Sequence, residues 1–446
     1  MANTYIAWTP SSAGERKKWT MSVWLKRSKT GVQSTIYNQY KDANYYNSYL
    51  TIQSDDQLNF VNYAESTTTN IKTTRKFRDT SAWYHIVLAV DTSEDSSDNR
   101  CKIYVNGVRE TSFATNTRPS QNLEMFANQT QPQQWGVQRY ASSSQGFFNG
   151  SMSYIAFIDG KAELPTIFGE TDSTTGEWKI KTTITPSSAW GSNGYLILKD
   201  GNSLSDQSTN SNNFSLGGGT LTNTKDCPSN VCNIFNAITP SSNNLNCGGT
   251  RFTNNSGGWD MRNGTLGATS GKFYAEFKVT AAASSGDNVF GIIDIDQFDD
   301  YSKNCNFSRA YCYRSSGSKE SNNSASSFGA SFAANDIIGI AMDLDNNKVY
   351  ASKNGTWQNS GNPASGSTGT GAMYSITNGY YYTFTDSSYD SGTDPVHDMN
   401  CGNGFFGTTA ITTNSGNGYA GAEGASKFNY AVPSGYSALS TKGLNT

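Results

Sequence analysis

The residues of this chain best suited to do chemistry are acids and tyrosines, gathered in a few short stretches. Asp294-Ile295-Asp296-Gln297-Phe298-Asp299-Asp300 is the densest acidic one. On a strand, Asp294 and Asp296 would share a face, and two carboxylates flanking a bond are what glycoside hydrolysis needs. Oxygen ligands at such short spacing also suit Ca²⁺, which makes Asp294, Asp296, Asp299 and Asp300 a candidate calcium site. Asp200 and Asp206, with Gln207-Ser208-Thr209-Asn210, form a second such loop. Against both stands the Asx turn, in which an aspartate bonds only nearby backbone.

Two aromatic stretches suit recognition instead. Tyr40-Lys41-Asp42-Ala43-Asn44-Tyr45-Tyr46-Asn47-Ser48-Tyr49 offers Tyr40, Asn44, Tyr45, Tyr46 and Tyr49 in a loop. Gly379-Tyr380-Tyr381-Tyr382 is followed by Asp386, Tyr389 and Asp390. Exposed rings stack on sugar faces while amides and carboxylates bond hydroxyls. Tyrosine and asparagine also suit contacts between proteins.

Other chemistries have little to work with. The only histidines are His85 and His397. His85 sits among apolar neighbours in Tyr84-His85-Ile86-Val87-Leu88-Ala89-Val90, where a structural role is expected. A histidine-based relay or zinc site is therefore not expected. The cysteines number seven (101, 227, 232, 247, 305, 312, 401) and include no Cys-x-x-Cys. That fits neither a zinc ribbon nor a complete disulfide framework. Mostly free thiols are expected, with Cys227/Cys232 and Cys305/Cys312 as the two pairs that could close.

The 446 residues carry 33 Lys plus Arg against 36 Asp plus Glu, a net charge of −3, which argues against nucleic acid as partner. Within the first 80 residues the balance is 11 to 6 in favour of Lys and Arg, a face for solvent or an acidic partner. No run approaches the ~18 apolar residues of a membrane span, and the opening shows no apolar core of a secretory leader. Counts of 43 Gly, 25 Tyr, 22 Phe and 9 Trp, with Asn, Ser and Thr filling the loops, describe an all-β protein rich in turns.

The elements that must position these residues read as short strands. In Trp19-Thr20-Met21-Ser22-Val23-Trp24-Leu25, apolar and polar residues alternate. Cys101-Lys102-Ile103-Tyr104-Val105 runs through Asn106-Gly107 into Val108-Arg109, a type I′ hairpin signal. Residues 165–245 are poor in strand signals, apart from a small hairpin around Tyr195-Leu196-Ile197-Leu198. Alternation returns in Lys272-Phe273-Tyr274-Ala275-Glu276-Phe277-Lys278-Val279 and in Ile337-Ile338-Gly339-Ile340-Ala341-Met342. Two antiparallel sandwiches are expected, at 1–165 and 246–446, joined by an irregular connector at 166–245. Trp19, Ile86, Leu88 and Ile103 should be buried in the first, and Phe273, Ile338, Ile340 and Met342 in the second.

Residues 83–110, with the Tyr-Val-Asn-Gly hairpin, resemble the laminin-G-like, concanavalin-A-like lectin pattern. Phe148-Asn149-Gly150-Ser151-Met152 and Tyr154-Ile155-Ala156-Phe157 resemble its closing strand. Residues 336–355 resemble the core of a SPRY domain, with Lys272 to Phe277 and Val289-Phe290-Gly291-Ile292 as its earlier strands. Both resemblances imply concanavalin-A-like (jelly-roll) sandwiches. The ending Phe428-Asn429-Tyr430 through Leu439 resembles the C-termini of lectin-like structural proteins of marine tailed phages, as does the domain order around Phe168-Gly169-Glu170-Thr171-Asp172. The glucanase motif that the 294–300 stretch distantly resembles uses glutamates, and none is present.

The resulting expectation is a non-enzymatic virion structural protein of a tailed phage, made in the host cytoplasm. A fibre-like adhesin binding host-surface carbohydrate comes first. A capsid decoration or joining protein binding other virion subunits comes second, and a glycan hydrolase last. A homo-oligomer, taken as a trimer, would supply several copies; calcium is the one cofactor admitted.

Overall fold

The computed structural model describes residues 3–42, 46–64, 67–140, 143–199, 203–237, 244–284, 286–297, 302, 304–412 and 418–446. Alternating sequences become antiparallel strands, with Ser437–Ala438 adding to Lys272–Ala281 in parallel, and among the described residues the longest helical piece is the 3₁₀ segment Pro363–Thr368. No helix among them is long and apolar enough to cross a membrane. The chain divides into two units, Met1–Asn223 and Thr224–Thr446.

The first unit stacks two sheets. The eight-stranded one runs Phe113–Thr117, Thr67–Lys76, Gln57–Ala64, Tyr46–Ile52, Ser34–Asp42, Gln133–Trp135, Tyr5–Trp8 and Ser215–Gly218 in spatial order. The six-stranded one runs Tyr195–Ile197, Gly150–Asp159, Lys18–Arg27, Tyr84–Asp91, Cys101–Val105 and Val108–Arg109. Trp19, Ile86, Leu88 and Ile103 are buried between them, with Leu58 and Phe60 from the facing sheet. Asn106 and Gly107 make the expected turn, both at positive φ (47° and 79°).

The first half of the expected connector is built into this unit. Tyr195–Ile197 pairs with Gly150–Asp159, and Ser215–Gly218 with Tyr5–Trp8. Phe168 and Trp190 cover Val87, Ala89, Ala156 and Ile158 on the outer face of the six-stranded sheet. Residues 224–245 belong to the second unit, where Leu245–Asn246 is a strand. Single aromatic plugs hold these segments, and plugs leave no period in a sequence.

The second unit repeats the two-sheet plan. One sheet runs Leu245–Asn246, Arg251–Thr253, Val396–Asn400, Lys272–Ala281, Ile337–Asp343, Lys348–Lys353 and Thr356–Trp357. The other runs Trp259–Asn263, Tyr382–Tyr389, Asn288–Asp294, Ala310–Arg314, Ser318–Ser321 and Ser324–Ser327. Phe273, Ile338, Ile340 and Met342 lie in the core between them.

Both outer faces here are covered. Phe428, Tyr436 and Ala438 close over Tyr274, Ala341 and Tyr350. Glu276 anchors that closing segment. Its buried carboxylate accepts the backbone N–H groups of Asn429 (2.8 Å) and Tyr430 (2.7 Å) and the Asn400 amide (3.1 Å). Burial outweighs these donors and pushes its pKa up to about 7. On the opposite sheet, the Cys305–Cys312 disulfide sits among Met261, Val289, Ile293 and Phe307. Cys227 and Cys232, the other candidate pair, are free thiols.

Candidate functional site

The outward face of the eight-stranded sheet carries a tyrosine-asparagine ladder. Strand period two sends Leu58 and Phe60 into the core and Asn59, Val61 and Tyr63 outward. Cross-strand register aligns outward residues in rows: Tyr40, Asn47, Tyr63 and Thr68 in one, Asn38, Tyr49, Val61 and Asn70 in the next, Thr51, Asn59 and Lys72 in a third. Tyrosines in adjacent rows lie two residues apart, on the order of 7 Å along the strands.

Part of the ladder is pre-set by hydrogen bonds. Asn38 Nδ2 donates to Asn47 Oδ1 (2.9 Å), and Asn38 Oδ1 accepts the Arg139 N–H (2.9 Å). Arg139 belongs to the hairpin of Gln138–Tyr140 and Ser143–Gln145, and its guanidinium donates to the Tyr5 hydroxyl (3.0 Å). That hairpin borders the face and ends in Tyr140, 45% exposed. Lys72 is neutralised by Asp55 (2.5 Å). Burial, with Tyr63 beside it, pushes the Tyr49 hydroxyl up to about 12, so it stays a neutral donor. Two acceptors are left over: Asn59 Oδ1 and Asn70 Oδ1 are buried without a hydrogen-bond partner.

Of the residues singled out in the first aromatic stretch, Tyr40 and Tyr49 lie on this face. The stretch is a hairpin of two strands, Ser34–Asp42 and Tyr46–Ile52, where a loop was expected. Tyr46 has the opposite parity and packs on Phe126 (5.7 Å), with Lys41 Nζ 4.8 Å from its ring. Asn44 and Tyr45 lie outside the described residues. Tyr63, Asn59 and Asn70 were missed, although the alternation of Gln57-Leu58-Asn59-Phe60 was a signal for the neighbouring strand.

The second stretch comes apart in the same way. Tyr381 is 54% exposed and stands beside exposed Ile295, whose N–H bonds the Tyr381 carbonyl (2.9 Å). Tyr380 lies under the Arg309 guanidinium (4.0 Å), which also bonds Asp294 (2.6 Å). Tyr382 is buried in the core, its hydroxyl on the Thr377 carbonyl (2.7 Å). Tyr389 packs on Trp259 (5.5 Å). Asp386 is buried too: one oxygen bonds His397 Nδ1 (2.7 Å), whose Nε2 meets Asn288 Oδ1 (2.9 Å). Tyr382, Phe384 and Asp386 share the inward parity of their strand, so neither Tyr382 nor Asp386 reaches a ligand. Burial raises the Asp386 pKa despite His397.

The acidic stretch is equally engaged. The strand ends at Asp294, and Asp296 follows in a 3₁₀ turn, Ile295–Gln297, so the two are not alternate strand positions. Asp294 is buried, with Oδ2 on Arg309 and Oδ1 on the Asp296 N–H (3.2 Å). The Asp294 carboxylate is thus already paired with a guanidinium. Asp299 and Asp300 lie outside the described residues. Asp206 is an Asx turn, accepting from Leu196 N, Ser208 N, Ser208 Oγ and Asn212 N at 2.8–2.9 Å. Among the described residues no group of three His, Cys, Asp or Glu could hold a metal.

His85 is structural. Trp178 Nε1–H donates to its Nδ1 (2.9 Å), which leaves the proton on Nε2 to donate to Ser22 Oγ (2.8 Å). Trp24 stacks on the ring at 4.6 Å, and burial lowers the pKa to about 3. The early basic excess is largely paired: Arg16 with Glu124, Lys18 with Asp91, Arg75 with Glu110, and Arg27 and Arg78 with Asp56.

No curated protein matches the chain. Among solved structures it is similar to the SPRY domain of human HERC1, at 17% identity over 34% of this chain and 87% of that one, with a TM-score of 0.28. It is similar to a heptameric SAP-like pentraxin from Limulus polyphemus at 14% identity over 36% and 71%, TM-score 0.27. A candidate carbohydrate-binding protein from Bacteroides ovatus gives 16% identity over 48% and 56%, TM-score 0.34. Residues 1–167 match the family model of the concanavalin A-like lectin/glucanases superfamily, which gives the first sandwich a lectin-type fold.

Proposed function

We propose that this chain is a non-catalytic binding protein that takes carbohydrate on the outward face of its eight-stranded sheet. The observation that carries the reading is the ladder of Tyr40, Tyr49 and Tyr63 in adjacent rows of that face, with Asn38 and Asn47 between them. Tyrosine faces stack on sugar rings while amide groups bond sugar hydroxyls. The lectin/glucanase match of residues 1–167 supports this. In our reading the chain is a virion structural protein of a tailed phage, made in the host cytoplasm and displayed as a fibre-like adhesin toward host-surface glycan. That step rests on the resemblance of the ending and domain order to phage structural proteins. A homotrimer on a particle would turn weak single contacts into adhesion through avidity.

The test is a glycan array probed with the multimeric protein and with a Tyr49→Ala/Tyr63→Ala variant. Saturable retention that the variant loses supports the reading. Release of sugar over time would establish a hydrolase, and wild-type protein that retains no glycan would overturn carbohydrate binding.

A second reading, a decoration or joining protein, draws on the exposed pair Tyr381 and Ile295 beside the Arg309–Tyr380 contact. Tyrosine and arginine are enriched where proteins meet. A Tyr381→Ala/Ile295→Ser variant that keeps glycan retention but fails to join particles would favour it.

A further inference from the structure

We propose that Asn378 is a spontaneous modification site, the first to deamidate in the folded protein among the Asn-Gly pairs of the described residues. The sequence holds eight such pairs, with asparagines at 106, 149, 193, 263, 354, 378, 403 and 417. Asn417 lies outside the described residues and is not ranked.

The chemistry is internal to the chain. The backbone nitrogen of the glycine attacks the asparagine Cγ. A new N–Cγ bond forms, the Cγ–Nδ2 bond breaks, and ammonia leaves with the proton from the glycine nitrogen. Water then opens the five-membered imide at either carbonyl, giving aspartate or isoaspartate. No oxidant or reductant enters. The side chain must swing over its own backbone, so any hydrogen bond that holds the amide must open first. Each one slows ring closure about two- to tenfold.

Six of the seven describable pairs are held. Asn106 Oδ1 accepts the His85 N–H (2.8 Å) and Asn354 Oδ1 the Ile337 N–H (2.8 Å), with Asn354 Nδ2 on Asp336 (2.7 Å). Asn193 Nδ2 donates to the Ser12 carbonyl (3.0 Å) and to Asn128 (2.8 Å). Asn263 accepts from Thr385 (3.1 Å), Asn403 from the Phe405 N–H (3.1 Å), and Asn149 donates to the Phe147 carbonyl (2.9 Å).

Asn378 differs on every count. It and Gly379 are exposed, and neither makes a hydrogen bond through side chain or backbone. Gly379 is at φ 83°, with nothing within 4 Å of where a Cβ would sit. The loop is tied on either side of this tip, by Thr377 N–H on the Tyr311 hydroxyl (3.3 Å), the Tyr382 hydroxyl on the Thr377 carbonyl (2.7 Å), Ile295 N–H on the Tyr381 carbonyl (2.9 Å) and Tyr382 N–H on the Ala268 carbonyl (2.9 Å). Conversion would put a new carboxylate, or a lengthened backbone, into the loop that carries Tyr380 and Tyr381.

The test incubates the full native chain in mildly alkaline buffer at physiological temperature and follows each Asn-Gly peptide by mass spectrometry. A parallel sample is held in denaturant. In the native chain Asn378 should convert at least about twofold faster than each of the other six, the rate difference of one hydrogen bond. In denaturant that lead should vanish, because the protecting bonds are gone. A Gly379→Ala variant should convert more slowly at this position. The proposal is overturned if any of the other six leads in the native chain, if Asn378 stays intact while the denatured chain converts, or if its lead persists in denaturant.

Discussion

The two units share an architecture and differ in what lies over their outer faces. In the first, Phe168 and Trp190 cover the six-stranded sheet, while the eight-stranded sheet keeps an outward ladder of tyrosine and asparagine. In the second, residues around Phe428 and Tyr436 close one sheet and the disulfide loop closes the other. Its exposed chemistry is left to a loop holding Tyr380 and Tyr381. A sandwich thus decides where it can bind by which face its trailing segments cover. The covers bury the outer-face residues beneath them, Glu276 included, whereas the face of the eight-stranded sheet keeps partly exposed tyrosines.

The comparison can be broken first through the covers. Phe428→Ala should cost about 3–5 kcal/mol, as for other buried phenylalanines, and lower the unfolding midpoint of the second unit alone. If the midpoint holds in a urea titration, the segment is decoration rather than part of that unit's core. Ile340→Ala should cost about 2–5 kcal/mol in the same unit. Thermal melts without a loss would remove Ile340 from the core.

pH should move the units in opposite directions. His85 titrates near 3 when folded against 6.5 in the free side chain, so the unfolded first unit binds the extra proton and stability falls as pH drops from 6.5 toward 3. Glu276 titrates near 7 against 4.5, so the folded second unit holds the extra proton, and stability falls as pH rises from 4.5 through 7. The Glu276 effect is on the order of 3 kcal/mol. Urea midpoints for each unit across this range should cross, and Glu276→Gln should flatten the second profile. Parallel profiles would show that other groups dominate.

The smallest effect expected is on binding. Tyr49→Ala should weaken glycan retention about 5- to 30-fold, the loss of about 1–2 kcal/mol common for an interface tyrosine, while leaving the melt of the second unit unchanged. An equal loss from Tyr46→Ala would contradict the parity argument.

Strands with apolar periods were legible: Trp19 to Leu25 and Ile337 to Met342 both carry core residues on alternate positions. The covers were not. Phe168 and Trp190 act singly, and nothing local distinguishes such a plug from an aromatic in a loop. Site residues were half legible for a related reason. Composition pointed to Tyr40 and Tyr49, but only register reveals that Tyr63 and Asn59 share their face. Tyr382 and Asp386 show the converse. Their parity with Phe384 could have placed them inside, yet a tyrosine run and a nearby acid suggest a surface. The His397–Asp386 contact joins two strands in different sheets, and local sequence holds no trace of that pairing.

Glu276 and its two backbone donors, Asn429 and Tyr430, stand 153 and 154 residues apart. During synthesis that distance is time. At ~5–20 residues per second, the strand bearing Glu276 waits about 8–30 s on the ribosome before its cover emerges. The first unit waits in its own way, because Tyr5–Trp8 gains its outer neighbour, Ser215–Gly218, only late, with Ala7 and Ser215 standing 208 residues apart. Until residue 438 is made, Tyr274, Ala341 and Tyr350 lack their lid, and this nascent face is where a crowded polysome would first find the protein sticky.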